Sequence, residues 1–379
     1  MLRTSSTSFS SAQKTSDRKP VRVAIRGISG LLGTRLALAL QRDPRFNVSA
    51  AVARNDPSLR RFLDSMKALG EQAANPVFER MFLDERHKVV RDFNSSNSVD
   101  FYPVDQLNLS KECDVLVDTT SPGNFKFWEE RYQHFRKPVL LQSGEYPNGR
   151  LISPPFLEPG TGNLFRQGDC ILSGLIPVLF HLLPFASRLT LNFLTQYTEK
   201  LMDYTTDVKL KATYVRSDVA KQLNLELSSV FDGIINSINL ERGSRLGCDF
   251  SVMGVLQVPG LSHYVATIVL ETHNPMSGND IAQLLKGKPR IRTVPSLKGT
   301  DELQYHKELV SPLELPPLTV FGEDLDSSEK RTYFRFFISM DYKYLVPYAN
   351  LDSLGMIALD LDPLDAMRRT DEAMNFVHI

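Results

Sequence analysis

Cysteine is scarce in this sequence. The 379 residues contain only three cysteines, Cys113, Cys170 and Cys248, which lie far apart and form no C-x-x-C pair. An odd, widely spaced set predicts neither a disulfide framework nor a structural zinc site, so we expect no metal. Free thiols fit a reducing compartment, and we therefore expect a cytoplasmic protein.

An excess of charge and long apolar runs are also missing. The 44 lysines and arginines balance the 44 aspartates and glutamates, so we expect no general attraction to nucleic acid or to an anionic membrane. The longest apolar run, residues 171–185, contains His181 and two prolines and falls short of the ~20 residues that span a bilayer. The sequence therefore favours a soluble protein that acts on a small molecule.

The chain is long enough for two domains, each with its own core. Residues 1–19 are rich in serine, threonine and basic residues and contain a single acid, Asp17. This composition predicts a disordered tail, with an organelle transit peptide as the alternative.

Residues 20–168 alternate between strand-like and helix-like segments. Strands are expected at residues 21–25, 46–53, 115–117 and 137–145, and helical periodicity covers residues 31–40. Alternation of this kind predicts a parallel sheet with helices on both faces, which is an α/β domain of the Rossmann type.

The pattern changes after Cys170. Alternating apolar and polar residues predict strands at 188–198, 207–215, 263–272 and 331–346. These runs indicate a largely antiparallel sheet with one solvated face. Helices are expected at residues 218–238 and 362–377. We therefore predict a Rossmann dinucleotide-binding domain at residues 20–168 plus 348–379, completed by a returning C-terminal helix, and an α+β catalytic domain at residues 169–347.

A glycine-rich turn joins the first strand to the first helix. Gly27, Gly30 and Gly33 form a G-x-x-G-x-x-G motif there. Glycines at such a turn allow the tight bend, the close approach of a pyrophosphate and close packing of the helix on the strand, with the phosphates at the helix N-terminus. The predicted cofactor-binding residues of this turn are Gly27, Ile28, Ser29, Gly30, Leu31, Leu32 and Gly33.

The residue after the second strand discriminates between cofactors. Sites that prefer NAD place an acid there, whereas this chain has Arg54 before Asp56. An arginine can pair with a 2′-phosphate, so NADP is the predicted cofactor, with NAD as the alternative.

Four stretches resemble a known enzyme group. They are "VDTTSPGNFK" at 117–126, "VLLQSGE" at 139–145, "DCILSG" at 169–174, and "YFRFFISMDYKYLVPYANLDSLGMI" at 333–357 with the helix after it. Their order over residues 21–376 resembles type II, archaeal-style glyceraldehyde-3-phosphate dehydrogenases, within the phosphorylating aldehyde dehydrogenases. The glycine spacing is more similar to that of aspartate-semialdehyde dehydrogenase and dihydrodipicolinate reductase.

This resemblance implies a site and a reaction. Cys170 is the expected nucleophile, which attacks an aldehyde so that hydride passes to the nicotinamide and an acyl phosphate or thioester is exchanged. A homodimer or homotetramer is also implied. The residues expected to line the nicotinamide end are Thr119, Thr120, Gln142 and Gly144.

Two features of the resembling enzymes are missing. Residues 224–238 contain no histidine to serve as base for the cysteine, and residues 194–200 lack the consecutive arginines that hold a substrate phosphate. We therefore expect a substrate other than glyceraldehyde 3-phosphate. Tyr197 is the proposed catalytic replacement and His263 a weaker candidate, whereas His181 is expected to be a core residue.

Cys170 has two interpretations. A free cysteine is often a small buried hydrophobe, but its place between a strand and an apolar helix favours a catalytic position. The main hypothesis is an NAD(P)-dependent oxidoreductase with covalent catalysis. The alternatives are a reductase without a covalent step and an inactive nucleotide-binding paralogue with a regulatory or scaffolding role.

Overall fold

The computed structural model describes residues 19–53, 80–84, 101–121, 123–142, 148–196, 214–242, 247–258, 264–294, 318–321, 326–327 and 332–376. Most of the described chain belongs to two sheets and the helices that cover them. The predicted tail at residues 1–19 lies almost wholly outside these ranges.

The first sheet has the strand order β4-β3-β2-β1-β5-β6-β9-β7-β8. Its strands are β1 (Val21–Arg26), β2 (Phe46–Ala53), β3 (Arg80–Leu83), β4 (Phe101–Pro103), β5 (Val115–Asp118), β6 (Val139–Leu141), β7 (Arg150–Ser153), β8 (Phe156–Leu157) and β9 (Leu164–Gln167). Every pair is parallel except the β7–β8 hairpin. A parallel sheet buried on both faces needs apolar strands, as in "VLVD" of β5.

The second sheet has the strand order β11-β12-β10-β13-β17-β15-β14, and β16 pairs with β17. Its strands are β10 (Ala186–Gln196), β11 (Tyr214–Val215), β12 (Asp249–Val258), β13 (Tyr264–Thr272), β14 (Ile291–Val294), β15 (Leu318–Phe321), β16 (Asp326–Ser327) and β17 (Tyr333–Met340). The pairs β10–β12 and β14–β15 are parallel and the other pairs are antiparallel, so the prediction of a largely antiparallel sheet is confirmed.

Eight α-helices, besides two short 3₁₀ helices, occur in the described part of the chain. They are α1 (Leu31–Arg42), α2 (Leu109–Glu112), α3 (Glu129–His134), α4 (Cys170–Leu182), α5 (Ser217–Arg242), α6 (Gly278–Leu285), α7 (Tyr342–Ala358) and α8 (Pro363–Ala373). Helix α8 begins with Asp362 as its N-cap and Pro363 at its first position, which is the favoured order at a helix start.

The cores show how these elements assemble. One cluster on the first sheet joins Ile25 of β1 and Leu36 of α1 to Leu351 of α7 and Phe376 after α8, so the prediction that the C-terminal helix returns to this sheet is confirmed. A second cluster around Trp128 covers the opposite face. The third and largest core packs α4 and α5 against the second sheet. The predicted domain boundaries remain a prediction.

The secondary structure of one segment was predicted wrongly from its local pattern. The strand expected over residues 331–346 is wrong in its second half, because β17 ends at Met340 and α7 starts at Tyr342. The strands β3, β4, β7, β8, β9, β12, β14, β15 and β16 were not expected. Most of them are only two to four residues long, too short for a clear alternation, and the long strand β12 pairs in parallel with β10, which lies before helix α5. Among the described residues, no helix is long and apolar enough to cross a membrane, and no cluster of His, Cys, Asp and Glu suits a metal ion.

Candidate active site

Four neighbouring parallel strands of the first sheet end at one edge. Gly27 follows β1, Thr119 follows β5, Gln142 follows β6, and Cys170 begins α4 shortly after β9. Because β1, β5, β6 and β9 are adjacent and parallel, their carboxyl ends lie side by side. Ligands of open α/β sheets bind outside such carboxyl ends. The predicted nucleotide turn and the predicted nucleophile therefore face the same edge.

The glycine turn has the shape of a phosphate cradle. Gly27 has a φ of 83°, which favours glycine, and its N–H donates to the Val52 carbonyl across 2.8 Å. Gly30 is the N-cap of α1, whose first turn has no capping side chain and no acid. The backbone N–H groups of Leu31, Leu32 and Gly33 form the positive end of this helix. They can donate to an anion there.

The turn cannot accommodate a larger residue at Gly33. A Cβ on Gly33 would lie 2.8 Å from the Ile28 Cα and 2.8 Å from the Thr119 Oγ1, and closer still to the Gly27 carbonyl oxygen. This close approach of helix and strand is the role expected of the third glycine in a dinucleotide turn. The turn therefore fits a pyrophosphate. Ile28 contributes backbone only, because its side chain is fully buried.

Thr119 and Thr120 are fixed beside the turn. The Thr119 hydroxyl donates to the Arg26 carbonyl at 2.8 Å, and Thr120 donates through its N–H and its hydroxyl to Asp118. Asp118 is itself held by a buried ion pair with Arg26 at 2.8 Å. The edge at the ends of β1 and β5 is therefore rigid before any ligand arrives.

Gln142 lies at the buried end of β6 and contacts α7. Its amide nitrogen donates to the Asn350 Oδ1 at 2.6 Å. One turn further along α7, the Ser353 hydroxyl donates to Gln167 at the end of β9, also at 2.6 Å. Helix α7 thus joins two of the four strand ends and places Asn350 at the edge where Gln142 was predicted to line a cofactor.

Cys170 is the first residue of α4. Its thiol is half-buried and packs against the core of the second sheet. Asp169 is the N-cap of α4, and its side chain accepts from the Leu172 N–H at 2.8 Å. The helix N-terminus therefore points at the thiol, an arrangement that favours a thiolate.

Other features of the surroundings oppose a thiolate. Burial, followed by the negative charge of Asp169, raises the pKa of Cys170 to about 12. Burial, followed by Glu226, likewise raises the pKa of Asp169 to about 7. Glu226 accepts from Arg166 through one oxygen, while its second oxygen has no hydrogen-bond partner within the described residues. Asp169 and Glu226 therefore lie close together beside Cys170, and the charge of Asp169 opposes ionisation of the thiol.

Tyr264 of the second sheet belongs to the core against which Cys170 packs. The Tyr264 hydroxyl lowers the pKa of Cys170 against the trend of its surroundings. The Tyr264 phenol also interacts with Arg216, which precedes α5 and donates to Asp218 at 2.9 Å and to Gln257 at 3.5 Å. Tyr264, at the start of β13, therefore influences the pKa of both Cys170 and Arg216.

Several predicted candidates lie outside the described residues: Arg54, Gly144, Tyr197 and His263. Their roles stay predictions. His181 is half-buried rather than fully buried, and burial, followed by Lys288, lowers its pKa to about 4. Cys113 is fully buried, with its thiol donating to the Leu109 carbonyl at 3.3 Å, and Cys248 is half-buried.

Sequence reasoning missed four residues of this site: Asp169, Arg216, Tyr264 and Asn350. The sequence does place Asp169 as a helix N-cap before an apolar run, which is a recognisable signal. Tyr264 leads a row of inward-facing residues on β13, where a phenol among aliphatic residues is the exception. Nothing local identifies Arg216 or Asn350, because their partners come from other elements.

Comparisons with known proteins show which fold this is. The sequence matches no known protein-family model and no curated protein. Similar solved structures include aspartate semialdehyde dehydrogenase II from Vibrio cholerae, complexed with ASA, at a TM-score of 0.55 and 11% identity over 89% of this chain and 99% of that one. Aspartate semialdehyde dehydrogenase with NADP from Candida albicans has a TM-score of 0.55 and 13% identity, over 94% and 100% of the two chains.

A probable aspartate-semialdehyde dehydrogenase from Pseudomonas aeruginosa has the same TM-score of 0.55 and 14% identity, over 90% of this chain and 100% of its own. At this level of identity the likenesses show the fold, and the resemblance to the phosphorylating aldehyde dehydrogenases, including the type II glyceraldehyde-3-phosphate dehydrogenases, stays a prediction. The chain has the fold of the aspartate-semialdehyde dehydrogenases.

Proposed function

We propose that this protein is an NADP-dependent oxidoreductase that interconverts an aldehyde with an acyl phosphate or thioester through Cys170. One observation carries the proposal: the glycine turn after β1 and Cys170 after β9 face the same edge of the first sheet, with Thr119 and Gln142 between them. A cofactor whose phosphates lie on the turn can extend along this edge toward the thiol. The fold shared with aspartate-semialdehyde dehydrogenases supports it.

Three observations support NADP as the proposed cofactor. The close approach at Gly33 gives the turn the shape that a pyrophosphate requires. Arg54 directly follows β2, the strand beside β1, and an arginine there suits a 2′-phosphate. One of the similar structures contains NADP. We expect Arg54→Gln to weaken NADP(H) binding by about tenfold and to leave NAD(H) binding unchanged, which isothermal calorimetry measures.

The chemistry follows from the position of Cys170. Its thiolate adds to the carbonyl carbon of the aldehyde, and the carbonyl electron pair moves to the oxygen, which takes up a proton to give a thiohemiacetal. When bound, NADP supplies the hydride acceptor that converts this group into a thioester. Phosphate then attacks the thioester, the C–S bond breaks, and Cys170 leaves as the thiolate.

Arg216 is the basis for a proposed substrate class. It is a part-exposed cation whose pKa is raised, first by Asp218 and also by the Tyr264 phenol, the group that lowers the pKa of Cys170. A carboxylate or phosphate on the substrate can replace Asp218 as its partner, because the Arg216–Asp218 pair is exposed and therefore weak. We propose that the aldehyde carries an anionic group.

The first experiment uses aspartate semialdehyde, phosphate and NADP, with NADPH absorbance as the readout. Cys170→Ala is expected to reduce turnover by about 1,000-fold or more and to leave NADP affinity unchanged. Cys248→Ala is the matched control and keeps full turnover. Undiminished turnover in Cys170→Ala would contradict the covalent mechanism, and failure to bind either NAD(H) or NADP(H) would contradict the whole proposal.

A second candidate is an NADP-dependent reductase without a covalent step. The specific observation in its favour is the pKa of Cys170, raised to about 12, which leaves the thiol protonated at neutral pH. The same Cys170→Ala protein separates the two, since this reductase keeps its rate when the thiol is removed.

The outer face of the second sheet supports a proposed homo-oligomer. Met253 on β12 is 76% exposed, and Phe337 and Tyr333 on β17 are 40% and 36% exposed, all on the face away from α4 and α5. Exposed apolar residues on a sheet face are a common self-association surface. Light scattering is expected to give a dimer or tetramer, and Met253→Lys with Phe337→Lys is expected to give monomers.

A further inference from the structure

A carboxylate lies at the edge of the first sheet near the glycine turn. Asp84 directly follows β3, and its backbone N–H donates to the Ala53 carbonyl at the end of β2 across 2.9 Å. The glycine turn contacts the same strand end, because the Gly27 N–H donates to the Val52 carbonyl. Neighbouring strands lie about 4.8 Å apart, so the ends of β1 and β3 are roughly 10 Å from each other. A nucleotide whose phosphates bind the turn can therefore extend over β2 toward Asp84.

Two buried side chains hold the Asp84 carboxylate in place. The Trp128 indole N–H donates to it at 3.2 Å, and the Arg26 guanidinium lies 3.7 Å away. Arg26 also stacks on the Trp128 ring, at 4.6 Å from the ring centre. Because Trp128 and Arg26 are only 2% and 4% exposed, neither can move freely. The carboxylate is therefore oriented before any ligand arrives.

The ion pair with Arg26 does not by itself account for Asp84. Arg26 already has Asp118 as its counter-ion at 2.8 Å and donates to the Tyr132 hydroxyl at 3.0 Å. The Asp84 side chain is 30% exposed, and ion pairs open to solvent contribute little stability. An ionised carboxylate accepts about four hydrogen bonds, and within the described part of the chain the indole of Trp128 is its donor. Asp84 can therefore accept further hydrogen bonds from a ligand.

The ribose of a dinucleotide offers donors that match this carboxylate. Sites that bind NAD place an acid after the second strand to accept a hydrogen bond from the ribose 2′-hydroxyl, whereas Arg54 occupies that position here. We propose that Asp84, one strand further along the sheet, is a specificity-determining residue that accepts a hydrogen bond from the adenosine 2′-hydroxyl of NAD, so that the protein binds NAD as well as NADP. The inference rests on the proposed function, because it concerns the same cofactor site.

Asp84 affects the two cofactors in opposite directions. Its carboxylate attracts the 2′-hydroxyl of NAD through a charge-assisted hydrogen bond, whereas it repels the 2′-phosphate of NADP. A residue that only supported the local fold would change both affinities in the same direction. The sign of the two changes therefore separates cofactor recognition from a structural role.

Calorimetric titration of the full chain with NAD and with NADP at about pH 8, where carboxylates are ordinarily ionised, tests the inference. Asp84→Asn is expected to weaken NAD binding about tenfold and to strengthen NADP binding about threefold. Asp114→Asn is the matched control and is expected to keep both affinities. Asp114 also pairs with an arginine, Arg22 at 2.9 Å, but it precedes β5 and therefore lies at the opposite edge of the sheet.

The emission of Trp128 provides a second readout that needs no turnover. Trp128 is the only tryptophan in the chain, and its indole donates to Asp84. We expect NAD to change the tryptophan emission of the wild-type protein, with half-saturation at the calorimetric Kd. An emission that stays unchanged at saturating NAD counts against the contact.

The outcomes separate this inference from the proposed function. If Asp84→Asn folds poorly, Asp84→Ser is the second variant, and the same opposite changes are expected. Equal changes in both affinities, or no change in either, would overturn the inference and leave the proposed function standing. A wild-type protein that binds NADP but not NAD would also overturn it. If the wild-type protein bound neither cofactor, the proposed function would fall together with the inference.

Discussion

Asp169 has two effects on its neighbour Cys170. As an N-cap it stabilises the helix start, and as a carboxylate it disfavours the thiolate. We expect Asp169→Asn to keep the cap, since asparagine caps as well as aspartate, and to remove the charge. Because the pKa of Asp169 is about 7, the charge is present above that pH and absent well below it.

Cys170 in Asp169→Asn should therefore react with iodoacetamide about threefold faster than wild type near pH 8.5 and at nearly the same rate near pH 5.5. Peptide mass spectrometry at both pH values provides the measurement. If the ratio of the variant rate to the wild-type rate were the same at both pH values, Asp169 would act on Cys170 through the helix cap and not through its charge.

A substitution at Gly33 tests whether NADP binds at the glycine turn. We expect Gly33→Ala to weaken NADP binding at least tenfold, because the methyl group would displace the Gly27–Ile28 backbone or Thr119. Gly254→Ala on β12 is the control, since its Cβ would make only an ordinary 3.6 Å contact with Asn192. Calorimetric titration of both proteins with NADP checks this. Equal affinities would exclude the turn as the binding site.

The packing of helix α4 on strand β17 positions Cys170, the first residue of that helix. Gly174 lies one turn after Cys170, and a Cβ there would come within 2.5 Å of the Met340 Sδ and 3.1 Å of the Leu345 Cδ1. Alanine normally stabilises a helix interior relative to glycine by ~0.5–1 kcal/mol. Here we expect Gly174→Ala to destabilise by about 1–3 kcal/mol through overpacking.

Urea unfolding of a double-mutant cycle measures this coupling. Met340→Ala alone leaves a cavity and is expected to cost about 2–4 kcal/mol, whereas the double variant is expected to cost less than the sum because the new methyl group occupies part of that cavity. If the losses in unfolding free energy of the two single variants simply added in the double variant, Gly174 of α4 would not pack against Met340.

Arg290 connects the two sheets at the scale of the molecule. It precedes β14 of the second sheet, is 1% exposed, and donates to Asp371 of α8 at 2.6 Å and to Asp352 of α7 at 2.9 Å. Helices α7 and α8 pack on the first sheet, and Asn350 of α7 contacts Gln142 at the end of β6. The ion pairs of Arg290 therefore fix the position of the strand ends relative to the second sheet.

We expect Arg290→Met to lose about 3–5 kcal/mol of stability, because two buried carboxylates lose their cation. Burial raises the pKa of Asp352 from its ordinary value of 3.8 to about 6 in the folded protein. The free energy of unfolding therefore falls as pH rises between these two values and the buried carboxyl ionises. Without Arg290 the loss should be larger near pH 8 than near pH 5. Thermal unfolding at both pH values measures it. The exposed Arg368 pairs with Asp365, and Arg368→Met is the control, with less than about 1 kcal/mol expected.

The sequence by itself determined the local units of this protein. The β1–turn–α1 unit, the apolar helix α4 after Asp169, and helix α8 after Asp362 and Pro363 were predictable, because glycine conformation, capping and apolar periodicity act within a few residues.

Tertiary structure alone decided the rest. The parallel pairing of β12 with β10, the hydrogen bond between Gln142 and Asn350, and the ion pairs of Arg290 with Asp352 and Asp371 all depend on partners distant in the sequence. Hydrogen bonding and burial between such partners carry no local periodicity, so an asparagine of helix α7 becomes the neighbour of Gln142 only when the helix packs on the strand ends of the first sheet.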